Sequence, residues 1–347
     1  MRVEFGGGAD ISFDKRGAAG LVTLTRPLAL NALTHDMIKA LSKALSAWER
    51  DDAVKAVVIQ AEGKAFSAGG DIRAVYESRN SPASVAFFAD EYRLNAQIDR
   101  FKKPYVALIN GVVMGGGVGV SLHGSHPVMT ENAVFAMPEV GIGFFPDVGA
   151  TYLLPDLGES FGIYLGLTGN RIRYGDALWS GLATYTVEAQ YLPGIVERIV
   201  ETGEPDLALR QAFRPARRET DAETVHKIAR HFSKTTLLAI IESLIADADS
   251  DEFAATTLKT LRMRSPTSLH VAFKAMVRGS TRSLEECVTM EFRILNRMLA
   301  GHDFYEGIRA AIIAKDGKPD WNPKTLEDIG NSEVEAYFAP LDRELTL

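Results

Sequence analysis

The sequence predicts a mixed α/β protein: an N-terminal part of alternating strands and helices, then an all-helical region. Two observations carry this. Residues 20–25 (GLVTLT) and 54–61 (VKAVVIQA) are β-branched runs, and between them residues 34–48 place Met37, Leu41, Leu45 and Trp48 at helical spacing. Beyond about Gly203 strand-like runs stop, and residues 237–245, 269–277 and 284–299 carry apolar residues three and four apart. The chain has 347 residues, 46% hydrophobic and 24% charged, an ordinary globular composition that excludes disorder, collagen and a simple coiled coil.

In order along the chain, residues 20–25 form a strand, and Thr34 caps the helix that ends near Trp48, its hydroxyl accepting from first-turn amides. After the strand at 54–61, a second helix starts at Asp71 and a third covers 84–101. Residues 105–110 (YVALIN) read as a buried strand before a triple glycine. Continued alternation implies crossover connections. Residues 204–223, rich in Arg, Glu, Ala and Pro, mark a boundary, giving domains at 1–203 and 204–347. Gly317, Lys318, Pro319 and Pro323 make a turn-rich segment around Trp321.

Acidic residues outnumber basic ones 45 to 38, a net charge of -7, so no global positive field exists to hold nucleic acid or an anionic membrane. The single cysteine, Cys287, excludes an intrachain disulfide and multi-cysteine zinc sites, and fits a reducing compartment. Met1 to Gly8 shows no export signal, and a cytoplasmic location is expected. The 27 uncharged residues between Lys103 and Glu131 contain Pro104, Asn110, five glycines between Gly111 and Gly119, His123 and His126, which argue against a lipid-facing helix. His226 and His231 lie in a basic helical stretch and are expected to face solvent.

Three segments stand apart. Ala65-Phe66-Ser67-Ala68-Gly69-Gly70-Asp71 is a strand end, two glycines and an acid: either a tight turn capped by Asp71, or a place where backbone amides approach a ligand. Asn110 to Gly119 turns a buried strand through glycines into an apolar helix starting near Gly116, which suits either close helix packing or a developing negative charge. Its glycine spacing matches neither a dinucleotide fingerprint nor a P-loop. Met137 to Gly149 sets Glu139 and Asp147 eight residues apart around Phe144 and Phe145. An acid held there out of water has a raised pKa, useful in proton transfer; alternatively Asp147 is a helix cap and Glu139 an exposed loop acid. No H-E-x-x-H occurs, and Ser121 lacks the second glycine of a nucleophile elbow.

Taken in order, Leu24-Thr25-Arg26-Pro27-Leu28-Ala29-Leu30-Asn31-Ala32-Leu33, then Ala65 to Asp71, Asn110 to Gly119 and Pro138-Glu139 resemble the enoyl-CoA hydratase/isomerase (crotonase) superfamily over most of residues 10–200. The resemblance implies an α/β crotonase-like spiral of repeated ββα units with a helical C-terminal region, an acyl-CoA substrate, and a homo-oligomer, trimer or hexamer. It implies an oxyanion hole of the Gly70 and Gly116 amides, assisted by the helix dipole at Gly116. Coenzyme A, as part of the substrate, would lie along Arg26, Ala29, Ala68, Gly69 and Asp71. No metal and no redox cofactor is implied.

One departure stands out. The first of the two hydratase glutamates falls on Gly119, and only the second is present, as Glu139. The segments 115–121, 135–139 and 141–149, with Met290-Glu291-Phe292-Arg293, residues 303–310, Lys315-Asp316, Lys318-Pro319 and Trp321, are similar to the 3-hydroxyisobutyryl-CoA hydrolase branch of the family. That likeness implies hydrolysis of a short 3-hydroxyacyl-CoA, the 3-hydroxyisobutyryl ester of valine breakdown foremost. Glu139 then acts as nucleophile or as base for water, while Asp147 orients water, takes its proton or binds the substrate hydroxyl, and Glu91 either binds the 3-hydroxyl or is a solvated helix acid. The alternatives are a hydratase or isomerase on the same fold, and a non-enzymatic acyl-CoA-binding protein; intact Glu139 and Asp147 argue against the second.

Overall fold

A computed structural model describes residues 1–79 and 81–347. The chain divides into two units interleaved along the sequence: residues 1–71, 90–135 and 172–219, and residues 72–89, 136–171 and 220–347. The expected contiguous split after Gly203 differs from this, because two earlier segments, 72–89 and 136–171, cluster with the C-terminal helices.

The first unit is built on two sheets. The larger has the order β1 (Ile11–Arg16), β2 (Ala19–Leu24), β3 (Ala56–Ala61), then strands Tyr105–Ile109, His126–Thr130 and Tyr185–Val187. β1 and β2 are antiparallel and the remaining neighbours run parallel. Buried on both faces, parallel strands read as unbroken apolar runs, as Ala56-Val57-Val58-Ile59 and Tyr105 to Ile109 do. Helix α1 (His35–Glu49) starts as expected: Thr34 accepts from the Met37 amide at 3.2 Å, and Met37, Leu41, Leu45 and Trp48 are buried. Gly20 lets α1 approach β2, since a Cβ there would stand 2.6 Å from the Trp48 ring.

The smaller sheet orders β4 (Ala65–Ser67), then Val112–Met114, Val134–Ala136 and Ile172–Arg173. The apolar helix expected from Gly116 is a single turn, Gly116–Gly119. Glycine-rich sequence does not sustain helix, and Ser121 turns its hydroxyl back onto the Gly117 carbonyl at 2.6 Å. One turn supplies aimed amides but little macrodipole.

In the second unit the described residues beyond Thr220 form helices Ala222–Phe232, Leu237–Asp247, Glu252–Arg262, Pro266–Gly279, Leu284–Ala300, Asp303–Ile308 and Asn331–Ala336, without strands. The first five are capped by the side chains of Asp221, Thr236, Asp251, Ser265 and Ser283. His226 is exposed, but His231 is wholly buried with Val225, Ile228 and Phe232, its Nδ1 2.9 Å from Ser243 Oγ. The basic neighbours obscured its place on the apolar face. No described helix is long and apolar enough to cross a membrane.

Gly20→Ala is expected to lower the stability read from urea unfolding by about 1–3 kcal/mol, the usual scale of overpacking; an unchanged midpoint would show that the Trp48 ring yields freely.

Candidate active site

The first group of candidate residues belongs to the first unit. Past β4 the chain runs beside the loop at 30–33: the Ala68 amide donates to Leu30 O at 2.9 Å, Leu33 N–H to Gly69 O at 2.8 Å, and Asp71 N–H to Leu33 O at 2.9 Å. The Gly70 amide between them has no acceptor among the described residues, and neither does that of Gly116, which opens its turn after Gly115. Gly115 takes φ 48°, ψ -127°, and Gly69 φ 111°, conformations open to glycine. A Cβ built on Gly116 would stand 3.1 Å from Gly70 N, so the two glycine turns abut. The same Cβ would collide with Oε1 of Glu91, a buried acid on the helix Pro82–Asp99. Gly70, Gly116 and Glu91 thus lie together. Sequence reasoning missed Asn95, one helical turn beyond Glu91: it is wholly buried, and neither its Oδ1 nor its Nδ2 has a partner among the described residues.

Arg26, expected to meet coenzyme A, is engaged within the protein. Its guanidinium lies 2.9 Å from Asp71 and 3.6 Å from Asp10 and donates to Ala32 O at 3.0 Å. These contacts brace a loop in which Leu30 and Asn31 hold φ near 52° and 54°. Buried Asn31 secures it, donating to Glu62 O and Ala65 O, both at 2.8 Å, and accepting from Arg26 N–H. Asn31 was read only as part of the motif, because its partners are local in space and distant in sequence. Ala29 and Ala68 are half-buried, Gly69 is buried, and Leu28 is fully exposed at the loop tip.

The second group belongs to the second unit. Glu139 opens a short 3₁₀ turn, Glu139–Ile142, and is 7% exposed, so the exposed-loop reading fails. Its Oε2 has no hydrogen-bond partner among the described residues. Burial first, and the charge of Asp147 second, push its pKa well above the ordinary glutamate range. Asp147 is 4% exposed; it does not occupy the cap position of helix Ala150–Leu153, which is Gly149. Helix Asp303–Ile308 lies hard against this segment: a Cβ on Gly307 would strike Ile142, one on Gly143 would strike Asp303 O, and the Phe304 ring packs 5.0 Å from Phe144. Asp303 accepts from Ser265 Oγ at 2.6 Å and Asn322 N at 2.8 Å, anchoring that helix.

The first unit thus holds two glycine amides without acceptors among the described residues, and the second holds two buried acids, Glu139 and Asp147. The sequence model of the enoyl-CoA hydratase/isomerase family matches residues 19–338, and the chain belongs to that family. It is 43% identical over 340 residues to "3-hydroxyisobutyryl-CoA hydrolase, mitochondrial" of Xenopus tropicalis, covering 94% of this chain and 88% of that one. Among solved structures it is similar to a carnitinyl-CoA dehydratase from Mycobacterium thermoresistibile, with a TM-score of 0.91, 39% identity, and 97% of this chain and 98% of that one covered. It is also similar to an enoyl-CoA hydratase from Rhodobacter sphaeroides 2.4.1, with a TM-score of 0.87, 37% identity, and coverage of 97% and 100%.

An acid whose pKa is raised by folding favours the native state at low pH, and that contribution is lost as pH climbs from the unfolded to the folded value. Glu139 and Glu291, the latter raised by burial to about 7, both act in this sense, whereas His231 and His270, lowered by burial, act oppositely. The difference in melting temperature between Glu139→Gln and the wild type is therefore expected to move in the variant's favour from pH 5 to pH 8. A difference independent of pH would mean that Glu139 is ordinarily solvated.

Proposed function

We propose that the protein hydrolyses the thioester of a short 3-hydroxyacyl-CoA, 3-hydroxyisobutyryl-CoA foremost. The Gly70 and Gly116 amides stabilise the carbonyl oxygen as it gains charge, each contributing on the order of 3 kcal/mol, the scale of single oxyanion donors. Glu139 acts in one of two ways. It adds to the carbonyl carbon, expelling the coenzyme A thiolate and leaving a mixed anhydride that water opens; or it takes a proton from water, which adds instead. Either route consumes one water, breaks the C–S bond, and yields a free thiol and a carboxylic acid. Asp147 orients water or holds its proton, and a raised Glu139 pKa suits the transfer.

The observation that carries hydrolysis over hydration is Gly119. Addition of water across a double bond in this family uses two glutamates, and one of those positions holds a buried glycine. The second reading, hydration or dehydration with Glu139 alone, draws on the names of the two similar structures. Glu91 beside Gly116 supports a 3-hydroxyl, which lies two carbons from the carbonyl. Coenzyme A is proposed to follow Ala29, Ala68, Gly69 and Asp71, with Arg26 shaping the loop through Asp71 rather than meeting a phosphate. A trimer or hexamer and a cytoplasmic location belong to the same proposal, the first on family resemblance and the second on the lone, buried Cys287.

A thiol-release screen across 3-hydroxyisobutyryl-, 3-hydroxypropionyl- and crotonyl-CoA separates the readings: free thiol is expected from the hydroxy esters, and none from any of them would favour the hydratase reading. Glu139→Gln is expected to lower turnover at least about a hundredfold with coenzyme A binding retained, and Asp147→Asn also to slow it. Unchanged turnover would remove either residue from the mechanism. Glu91→Gln is expected to raise KM for 3-hydroxyisobutyryl-CoA about tenfold or more, the scale of a hydrogen bond to a charged group, while sparing isobutyryl-CoA. Equal effects on both esters would take the hydroxyl away from Glu91.

A further inference from the structure

We infer that Glu291 is a positioning residue for Asp147, its carboxylate clamping the turn from which Asp147 projects. The inference rests on the reading of Asp147 given above and goes beyond it.

Residues 147–150 form a tight turn closed by the Ala150 amide donating to Asp147 O at 2.9 Å. Its two central residues both take positive φ, 54° at Val148 and 81° at Gly149, the pattern of a type I′ turn. Glycine adopts this freely. A β-branched valine adopts it only where its surroundings impose it, and such strain persists when neighbouring contacts over-determine the backbone.

The imposing group is Glu291, wholly buried on helix Leu284–Ala300. Its Oε2 accepts from Gly149 N–H at 2.8 Å, and its Oε1 accepts from Thr151 N–H at 3.1 Å and Thr151 Oγ1 at 2.6 Å. Both oxygens of one carboxylate are thus spent on Gly149 and Thr151, which flank Ala150 just after Val148. An ionised carboxylate only accepts, whereas an amide in its place must turn an NH₂ toward one of these donors. Burial raises the Glu291 pKa to about 7 even against three donors, so an acid is kept here at a cost that filling space alone would not require. Arg293, two positions on, is by contrast paired 2.9 Å from Glu344.

The test is thiol release from 3-hydroxyisobutyryl-CoA by the full-length wild type, Glu291→Gln, Asp147→Asn and the double variant. Glu291→Gln is expected to lower kcat about tenfold or more with KM within about threefold, and to cost less than about twofold when Asp147 is already Asn, the signature of two residues acting as a unit. Wild-type kcat in Glu291→Gln, or a loss that multiplies in full with that of Asp147→Asn, would overturn the inference. Should Glu291→Gln fail to fold, Thr151→Val removes one of the three donors and keeps the side-chain shape. It is then expected to lower kcat about threefold or more, again only when Asp147 is present, and an unchanged kcat overturns the clamp. Asp147→Asn with wild-type turnover would end both this inference and the role of Asp147, whereas a slow Asp147→Asn beside a normal Glu291→Gln ends this inference alone.

Discussion

Two carboxylates within electrostatic reach of one another and withdrawn from water cannot both carry full charge cheaply, and that constraint at Glu139 and Asp147 organises the second unit. Keeping Glu139 dry takes a close cover, supplied by the helix Asp303–Ile308 seated on Gly143 and Ile142 and by Phe304 packed on Phe144. Keeping Asp147 fixed takes a turn that Val148 would not adopt unaided. Glycine is obligatory at Gly143 and Gly307 because neighbouring backbone occupies the space of any side chain.

The first unit meets a different requirement, main-chain amides held without internal partners. Strands position them, and the loop through Leu30 and Asn31 carries positive-φ strain that Asn31 and Arg26 secure. Such an amide pair serves any reaction that builds charge on an acyl oxygen, so one scaffold suits hydration, dehydration and hydrolysis, the three reactions that the similar chains are named for. On the proposed reading, which of them runs depends on the acidic side chains that accompany the pair. On that reading a glycine at position 119 removes one, and stability is given up at Glu139 and Glu291, whose pKa values burial raises and which favour the native state less as pH rises.

Features governed by neighbours in sequence were legible before the structure. The Thr34 cap and the parallel strands follow from capping chemistry and side-chain period, whereas the pairing of Gly70 with Gly116 came from the family resemblance. Features governed by distant partners were not. Asn31 and Glu291 lie in segments that carry the resemblance, but they bond to backbone more than thirty and more than a hundred residues away, and no local pattern shows those partners. His231 was misplaced because its charged neighbours masked an apolar helix face. The helix at Gly116 was overextended because apolar composition outweighed the poor helix propensity of glycine. The boundary at Gly203 followed a real change of composition, but composition does not show that residues 136–171 cluster with helices a hundred positions later.

Burial and the charge of Asp147 push the Glu139 pKa well above the ordinary glutamate range. Titrating the Glu139 carboxyl by carbon-13 NMR, assigned by its loss in Glu139→Gln, measures this directly. The midpoint is expected well above the ordinary glutamate range, and to fall when Asp147 is replaced by Asn. A midpoint in the ordinary range, unmoved by that replacement, would contradict it.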